Sequence, residues 1–322
     1  MGRDQEYNRF KKNKSSELKG FRHFVEWFVL KTFRGGANRL PMRVNQRIGA
    51  SIGRLALKTA KKDRGIAEYQ INFCFPELSE SEKQDLLRRS FEHAGITLFE
   101  TMLTQKIRKN PGKWIHLEND KIVHQALEEG KGLVLIFGHI GNWELLPIVY
   151  EMLDIQGITI DSPVGVGKLD EILSECRYSS NLEVIPRGDK NSAKGILTCF
   201  RNNKALLFAL DQDMHVKSVF TQFFGRAAST AKGAATMAQK FKAPVIGAFG
   251  MRVEDGTHLY RFEQLSSAPY EGGDEETQQL TQSYTSAIEA QIRKKPEQWV
   301  WMHRRWKTQP SQDLPRETDA PL

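Results

Sequence analysis

The residues best suited to acid–base chemistry lie in one short stretch, between Gly132 and Glu144. An apolar run at residues 133–137 ends at Gly138, His139 follows at once, and Glu144 comes five residues later. A histidine can take a proton from a hydroxyl near neutral pH. A carboxylate on its other ring nitrogen would fix the tautomer and stabilise the imidazolium. No Ser, Cys or Thr separates the two residues, so the spacing favours direct activation of a substrate hydroxyl.

The elements around this pair predict where it lies in a fold. A short apolar run bounded by glycines is typical of a buried parallel strand. Gly141 and Asn142 then form a turn, and Trp143 begins a helix. This order places His139 at the carboxyl edge of a sheet, where open α/β sheets bind ligands. A purely structural interpretation stays open, in which His139 ends a strand and Glu144 favours the positive end of a helix.

The rest of the chain alternates apolar runs with amphipathic segments, which predicts an α/β fold with a mixed, mostly parallel sheet flanked by helices. A last, aromatic-rich strand is expected at residues 298–303, and residues 260–265 are expected to form an edge strand. The other predicted strands are residues 114–118, 158–160, 183–186, 205–210 and 245–249. The predicted helices are residues 44–58, 80–106, 121–129, 169–178, 191–200, 231–241 and 278–294.

Two helices carry more specific signals. In the helix at residues 44–58, Gly49 and Gly53 allow close approach of another helix. Ser79 with Glu82 resembles a capping box at the start of the helix at residues 80–106. Polar residues within that second helix are interpreted as surface positions, namely Glu92, His93 and Glu100.

The basic charge of the chain is concentrated at its N-terminus. The net charge is +8 over 322 residues, but residues 1–64 alone carry a net +12. Residues 21–33 form an apolar helical segment of ~20 Å, too short to cross a ~30 Å hydrocarbon core. A basic arm around such a helix favours peripheral or monotopic binding to an anionic membrane surface over nucleic-acid binding. Docking of the helix on the protein's own core is the alternative.

Composition sets the remaining bounds. The apolar content of 39% can support a core. Three scattered cysteines argue for a reducing compartment and against disulfides and cysteine-based zinc sites. No signal peptide is visible in the first 20 residues. We therefore divide the chain into a basic membrane-associating arm (1–64), a catalytic domain (65–309) and a disordered tail (310–322).

Several separate motifs resemble one family. His139 to Glu144 resembles the H-x-x-x-x-E form of the lysophospholipid-type acyltransferase signature, and its Gly-Asn-Trp-Glu ending resembles the lipid A biosynthesis (lauroyl/myristoyl) acyltransferases of bacterial inner membranes. Together these motifs extend over residues 20–310 and specify the family but not the substrate. The other matching pieces are Asn72–Glu77, Phe223–Gly225, Ala243–Val245, Pro296–Trp299 and Trp301–Thr308.

This resemblance implies a membrane-associated O-acyltransferase on the cytoplasmic face of the inner membrane, without cofactor or metal. The acyl donor would be a thioester of acyl carrier protein or coenzyme A, and the acceptor a glycolipid, most simply a lipid A precursor. His139 and Glu144 would be catalytic. A lysophosphatidate-type acceptor is disfavoured, because the F-P-E-G-T-R-S motif is absent. The expected substrate-binding residues are Asn142, Arg177, Arg187, Asp211, Gln212 and Arg304.

Three other interpretations compete with this one. Asp211 and Asp213 could be the D-x-D of a metal-dependent glycosyltransferase, although no Gly-rich phosphate loop accompanies them. The chain could act on another glycolipid or a phospholipid. It could also be a non-catalytic membrane-surface protein, in which case replacement of His139 and Glu144 would leave function intact.

Overall fold

A computed structural model describes residues 35–161, 175, 179–186, 192–214 and 216–310. The predicted helices at residues 21–33 and 169–178 and the C-terminal tail lie wholly or almost wholly outside these residues. The α/β prediction is confirmed: one seven-stranded sheet is flanked by helices, and a separate two-stranded hairpin is added to it. In the described part of the chain, none of the helices combines the length and apolarity needed to cross a membrane.

The strands are β1 (Ile115–Glu118), β2 (Leu133–Phe137), β3 (Gly157–Asp161), β4 (Leu182–Pro186), β5 (Ala205–Ala209), β6 (Ser218–Phe223), β7 (Arg226–Ala231), β8 (Val245–Arg252) and β9 (His258–Ser266). The helices are α1 (Met42–Thr59), α2 (Lys61–Cys74), α3 (Glu80–Met102), α4 (Thr104–Arg108), α5 (Lys121–Glu128), α6 (Leu146–Met152), α7 (Ser192–Arg201), α8 (Gly233–Phe241) and α9 (Gly273–Lys294). Short 3₁₀ turns lie at Pro111–Lys113, Trp143–Leu145 and Pro296–Gln298.

The main sheet has the order β1-β9-β8-β2-β5-β3-β4, with β6 and β7 paired separately. Every neighbouring pair is parallel except β8 with β9. The chain leaves β2 toward β3 on one side, and later leaves β5 toward β8 on the other. The carboxyl ends of β2 and β5 therefore meet near the point where the direction of winding changes, which is where such sheets bind ligands.

The central strand β2 shows why a continuous apolar run was a reliable signal. Its side chains alternate between two faces. Val134 and Ile136 pack in the cluster formed with α2, α3, α8 and α9. Leu133 and Leu135 pack in the cluster on the opposite face, with α5 and α6. A strand buried on both faces has no polar position to alternate with.

Two strand predictions were wrong. Residues 260–265 belong to β9, which is an interior strand because it pairs with β1 on one side and β8 on the other. Residues 298–303 do not form a strand: Trp299 makes a single isolated bridge to Ile140, and its neighbours form turns. Their aromatic side chains fill the core between the hairpin and the sheet, so the aromatic content reflected burial and not strand pairing.

Helix α1 is held against α3 by an unusually close crossing, as the two glycines predicted. A Cβ placed on Gly53 would lie 2.1 Å from the backbone oxygen of Phe91, and one on Gly95 would lie 2.2 Å from the oxygen of Gly49. The predicted capping box is also confirmed, with Ser79 and Glu82 bonded reciprocally at the start of α3. Helix α1, which lies within the basic N-terminal segment, is therefore packed on α3.

The crossing can be tested with two glycine substitutions. We expect Gly53→Ala to lower the free energy of unfolding by about 1–3 kcal/mol, because the added methyl meets rigid backbone and the helices must separate. Gly65→Ala is the matched control: it lies inside α2, where an added methyl group would have nothing within 4 Å. It should raise the free energy of unfolding by ~0.5–1 kcal/mol. Urea denaturation measures both; equal effects would contradict the close crossing.

Candidate active site

The structure places His139 at the carboxyl end of β2, as predicted, and pairs it with a carboxylate from the end of β5. Nδ1 of the His139 ring lies 2.8 Å from Oδ1 of Asp211. The backbone N–H of His139 also donates to Oδ2 of Asp211, at 2.6 Å. The two residues are far apart in sequence and meet because β2 and β5 are neighbouring parallel strands.

A third donor completes the environment of Asp211. The indole N–H of Trp299 donates to Oδ2 at 2.8 Å, and the carboxylate is fully buried. Burial raises the pKa of Asp211, but the charge of His139 and the hydrogen bonds from His139 and Trp299 outweigh it and hold that pKa at about 2. The carboxylate is therefore ionised at neutral pH. An ionised acceptor on Nδ1 keeps a proton there and leaves a lone pair on Nε2.

The other nitrogen of the ring is directed toward side chains that line a cavity. Nε2 of His139 lies 3.3 Å from the amide nitrogen of Gln212, and both residues line that cavity. The His139 ring packs edge-on against the ring of Trp143, with the ring centroids 5.0 Å apart. It is tilted against the ring of Phe137, with the centroids 5.6 Å apart. Apolar neighbours on both sides restrict the ring to one orientation.

Glu144 occupies a different position from the one expected. The spacing along the chain favoured Glu144 as the partner of the His139 ring, but the structure places Asp211 on Nδ1. Glu144 lies in the 3₁₀ turn after His139, is buried, and lines the same cavity. Its Oε1 accepts from the indole N–H of Trp143 at 3.2 Å. It remains a second carboxylate of the site, and its catalytic role stays a prediction.

The cavity has a volume of about 1320 Å³, above the usual range for small-molecule sites. It runs along the carboxyl ends of four strands, with Phe137 from β2, Ile160 from β3, Val184 from β4 and Ala209 from β5. Most of its other lining is apolar, with α3 and α8 supplying further walls. His139, Glu144 and Gln212 are polar groups near one another in a largely apolar space, as in a site for a long apolar substrate with one reactive end.

Beside the site lies a group of polar residues, most of them buried, of which the sequence had pointed only to Asn142 as a site residue; one member, His93, also lines the cavity. We call it the Glu100 cluster; it comprises Glu100, Arg252, His93, His258, Asn142 and Gln46. Glu100 and His93 were interpreted as surface residues of a helix, but Glu100 is completely buried and His93 is 6% exposed. Arg252 donates to both oxygens of Glu100. Glu92, by contrast, is paired with Arg54 and Arg88 near the surface.

The charges in this cluster are arranged to compensate one another. Burial raises the pKa of Glu100, but Arg252 and His258 outweigh it and hold the pKa well below its usual range. Burial and the nearby charge of Arg252 lower the pKa of His93 to about 3. His93 is thus neutral, accepting from Arg252 on Nδ1 and directing Nε2 at the carbonyl oxygen of Gly141, 3.0 Å away.

The cluster holds the turn that follows His139. The side-chain amide of Asn142 donates to Glu100 at 3.2 Å. The backbone carbonyl oxygen of Asn142 accepts from the hydroxyl of Tyr260. Gly141 has a positive φ of 64°, and a Cβ there would lie 2.4 Å from the backbone oxygen of Gly250. Only glycine fits this position. Asn142 was predicted to bind substrate; the structure instead shows its amide bound to Glu100, and a substrate contact remains a prediction.

A sequence signal for this cluster did exist. His93, Thr97 and Glu100 follow the i, i+4, i+7 spacing of one helix face, and apolar residues lie on both sides of that face. Arg252 ends an otherwise apolar strand. A polar stripe on a helix that is apolar elsewhere can face a buried partner as well as solvent, and the sequence alone does not identify the partner.

The other predicted residues lie in different places. Arg304 is half-buried in the segment after β9 and α9, and it is not among the described residues that line the cavity. Arg177 and Arg187 lie outside the described residues. Asp213 accepts from the backbone N–H and hydroxyl of Thr308. Across the described ranges, no group of three His, Cys, Asp or Glu side chains is arranged to hold a metal ion.

Comparison with known proteins gives a consistent result. Residues 11–308 match the family described as bacterial lipid A biosynthesis acyltransferase. The chain is 27% identical over 277 residues to the lipid A biosynthesis lauroyltransferase of Escherichia coli (strain K12), covering 84% of this chain and 88% of that protein. It is 27% identical over 298 residues to the lipid A biosynthesis palmitoleoyltransferase of the same strain, covering 90% of this chain and 93% of that protein. A phosphatidylinositol mannoside acyltransferase of Mycolicibacterium smegmatis is 23% identical over 183 residues, which cover 56% of this chain and 59% of that protein.

The Glu100 cluster can be tested by removing one charge. Glu100→Gln leaves Arg252 buried without its counter-ion, and we expect the free energy of unfolding to fall by about 3–5 kcal/mol. Glu118→Gln is the matched control, because it breaks a similar two-bond pair with Arg261 that is about 40% exposed. That loss should be ~0–1 kcal/mol. Urea denaturation at neutral pH compares the two; a small loss for Glu100→Gln would mean that the cluster does not hold the turn.

Proposed function

Because this chain belongs to the family of bacterial lipid A biosynthesis acyltransferases, and is therefore an acyltransferase, we propose that it moves a fatty acyl group from a thioester of acyl carrier protein to a hydroxyl of a lipid A precursor. The observation that carries this proposal is the contact between Nδ1 of His139 and the buried, ionised Asp211 at the wall of an apolar cavity. The contact keeps the ring proton on Nδ1, so that Nε2, 3.3 Å from the amide nitrogen of Gln212, carries the lone pair of a base beside a space suited to a lipid chain.

The reaction needs one proton acceptor and no covalent enzyme intermediate. Nε2 of His139 takes the proton of the acceptor hydroxyl as its oxygen attacks the thioester carbonyl. The ring becomes an imidazolium, which the ionised carboxylate of Asp211 stabilises. The tetrahedral intermediate collapses, the C–S bond breaks, and the leaving thiolate takes the proton from Nε2. The products are an ester and a free thiol, and His139 returns to its neutral form.

The remaining groups have roles that follow from their positions. Asp211 acts as a positioning residue, since it touches His139 and not the reacting atoms. Glu144 lines the cavity and is placed to orient the acceptor or to stabilise the imidazolium from a second side. Donors to the oxyanion would come from backbone N–H groups near the start of the helix that follows His139, or from an arginine such as Arg187. The apolar lining would hold the acyl chain and exclude water that could hydrolyse the thioester.

The donor and the location are proposed from the charge of the N-terminal segment and the nature of the acceptor. An acidic carrier protein fits the basic composition of residues 1–64, although a coenzyme A thioester would also fit. A lipid acceptor and that basic segment favour the cytoplasmic face of the bacterial inner membrane, where anionic lipids attract Lys and Arg. We retain residues 1–64 as the membrane-associating segment and 65–309 as the catalytic domain.

The proposal is tested by acyl transfer in detergent with purified full-length protein. The donors are labelled acyl carrier protein and coenzyme A thioesters, and the acceptors are a lipid A precursor, a phospholipid and another glycolipid, with and without EDTA. We expect transfer from the carrier-protein thioester to the lipid A precursor, unaffected by EDTA. His139→Ala should reduce kcat by about 10²-fold or more, because the base is lost.

A second comparison separates the two carboxylates. In Asp211→Asn the backbone N–H and Trp299 require the amide oxygen on their side, so the NH₂ group faces Nδ1. That arrangement forces the ring proton onto Nε2 and removes the base, so kcat should fall by about 10²–10⁴-fold. Glu144→Gln keeps the tautomer and should cause the smaller loss. Thermal denaturation of both variants shows whether the loss reflects unfolding.

Two outcomes would contradict the proposal. Transfer that survives His139→Ala excludes the mechanism. Absence of acyl transfer from every donor to every acceptor, in wild-type protein shown to be folded, would favour the glycosyltransferase or the membrane-surface interpretation.

A further inference from the structure

Helix α1 exposes apolar side chains on a face that does not pack on α3. Its buried positions are Met42, Asn45, Gly49 and Gly53. The side chains of Val44, Ile48, Ile52 and Leu55 instead form a stripe along the helix, and we call them the α1 stripe. Ile52 is 41% exposed and Leu55 is 60% exposed. Large apolar side chains grouped on one exposed face indicate an interaction surface.

The crossing geometry shows which side of the helix pair the stripe occupies. Gly49 lies opposite Gly95, whereas Gly53 lies opposite Phe91, so α1 and α3 are antiparallel. With 100° between successive residues, the α1 stripe falls on the same side of the pair as Ala94, Leu98 and Thr101 of α3. The contacts of Arg54 with Glu92, and of Gln46 with Glu100, fall on the opposite side.

That side of α3 is a wall of the active-site cavity. Ala94, Leu98 and Thr101 line the cavity, together with His139 and Glu144. Leu98 is also 39% exposed, so the cavity wall reaches the protein surface at this residue. The α1 stripe and Leu98 therefore form one apolar surface that leads from the outside of the molecule into the site.

The charges next to the stripe favour one kind of partner. The sequence of α1 contains four basic residues, Arg43, Arg47, Arg54 and Lys58, and no acidic residue. By the same helical spacing, Arg47 and Lys58 lie beside the stripe on the outer side of the helix. A helix of ~27 Å with an apolar stripe bordered by Lys and Arg has the form of one that lies in the plane of an anionic membrane surface.

We propose that the α1 stripe and Leu98 lie in the surface of an anionic lipid bilayer, so that the cavity opens directly onto lipid. The basic residues beside the stripe contact lipid phosphates, and the apolar side chains enter the boundary of the acyl chains. An acceptor lipid can then move between bilayer and cavity without exposing its chains to water. The proposal deepens the proposed function, and it rests on that function only for the identity of the acceptor.

The test places a fluorescent reporter on the stripe of the full-length chain. Leu55→Cys and, separately, Ile52→Cys are labelled with an environment-sensitive dye in a Cys176→Ser background; Cys74 and Cys199 are buried. Arg54→Cys is the matched control, on the same helix but on the side that faces Glu92. Each protein is mixed with phosphatidylglycerol vesicles or phosphatidylcholine vesicles, with and without lipids that carry a nitroxide quencher on the acyl chain.

We expect a blue shift at positions 52 and 55 with phosphatidylglycerol vesicles, and quenching of about half the emission by the nitroxide lipid. Position 54 should be quenched much less, and phosphatidylcholine should have a weaker effect at all positions because the basic residues lack their partner. No donor or acceptor is present, so a protein that fails to transfer acyl groups still gives this reading.

Three outcomes would overturn the proposal. Absence of quenching at positions 52 and 55, in protein that sediments with the vesicles, would mean that another segment binds the membrane. Quenching at position 54 equal to that at positions 52 and 55 would mean that the α1 stripe is not the side of the helix that enters the bilayer. A blue shift before vesicles are added would mean that residues 1–34, or a second copy of the chain, covers the stripe.

Discussion

The carboxylate of Asp211 accepts hydrogen bonds from three donors on two residues that are far from it and from each other in the sequence: the ring and the backbone N–H of His139, and the indole of Trp299. A buried carboxylate without such partners would take up a proton. Here the pKa is about 2, so the charge persists. The order of the strands is what permits this, since β2 and β5 must be adjacent and end at the same edge. The segment after α9 must also return to place Trp299 over that edge.

The second buried carboxylate, Glu100, solves a different problem. The turn at Gly141 and Asn142 leaves polar backbone groups facing α3, and each such group needs a partner. His93 and Tyr260 supply hydrogen bonds to the two carbonyls, and Arg252, which is paired with Glu100, also donates to His93. The chain thus keeps one ionised group beside the base and another behind the turn.

Sequence reasoning succeeded where a single local cause decides the structure. The run at residues 133–137 favoured a buried strand, and Gly49 and Gly53 indicated a close crossing; both predictions were confirmed. The position of His139 followed from the strand. Its partner did not, because spacing along the chain favoured Glu144, whereas strand adjacency, which the sequence does not state, brings Asp211 to Nδ1. The surface assignment of Glu100 failed for the same reason: Arg252 approaches it from a strand more than 150 residues away.

These errors indicate how the site combines its parts. The groups that could be read from sequence, His139 and Glu144, lie on one continuous segment and line the cavity. Asp211 was predicted as a site residue but not as the partner of His139, and the contacts of Trp299, Glu100 and Arg252 were not predicted. These four groups come from other elements and contact that segment or the residues that hold it. A local motif therefore supplies the reactive groups, while residues distant in sequence fix the proton on Nδ1 and the path of the turn. Because a base works only when the ring nitrogen opposite Nδ1 carries a lone pair and points at the substrate, the distant residues determine whether the motif can act.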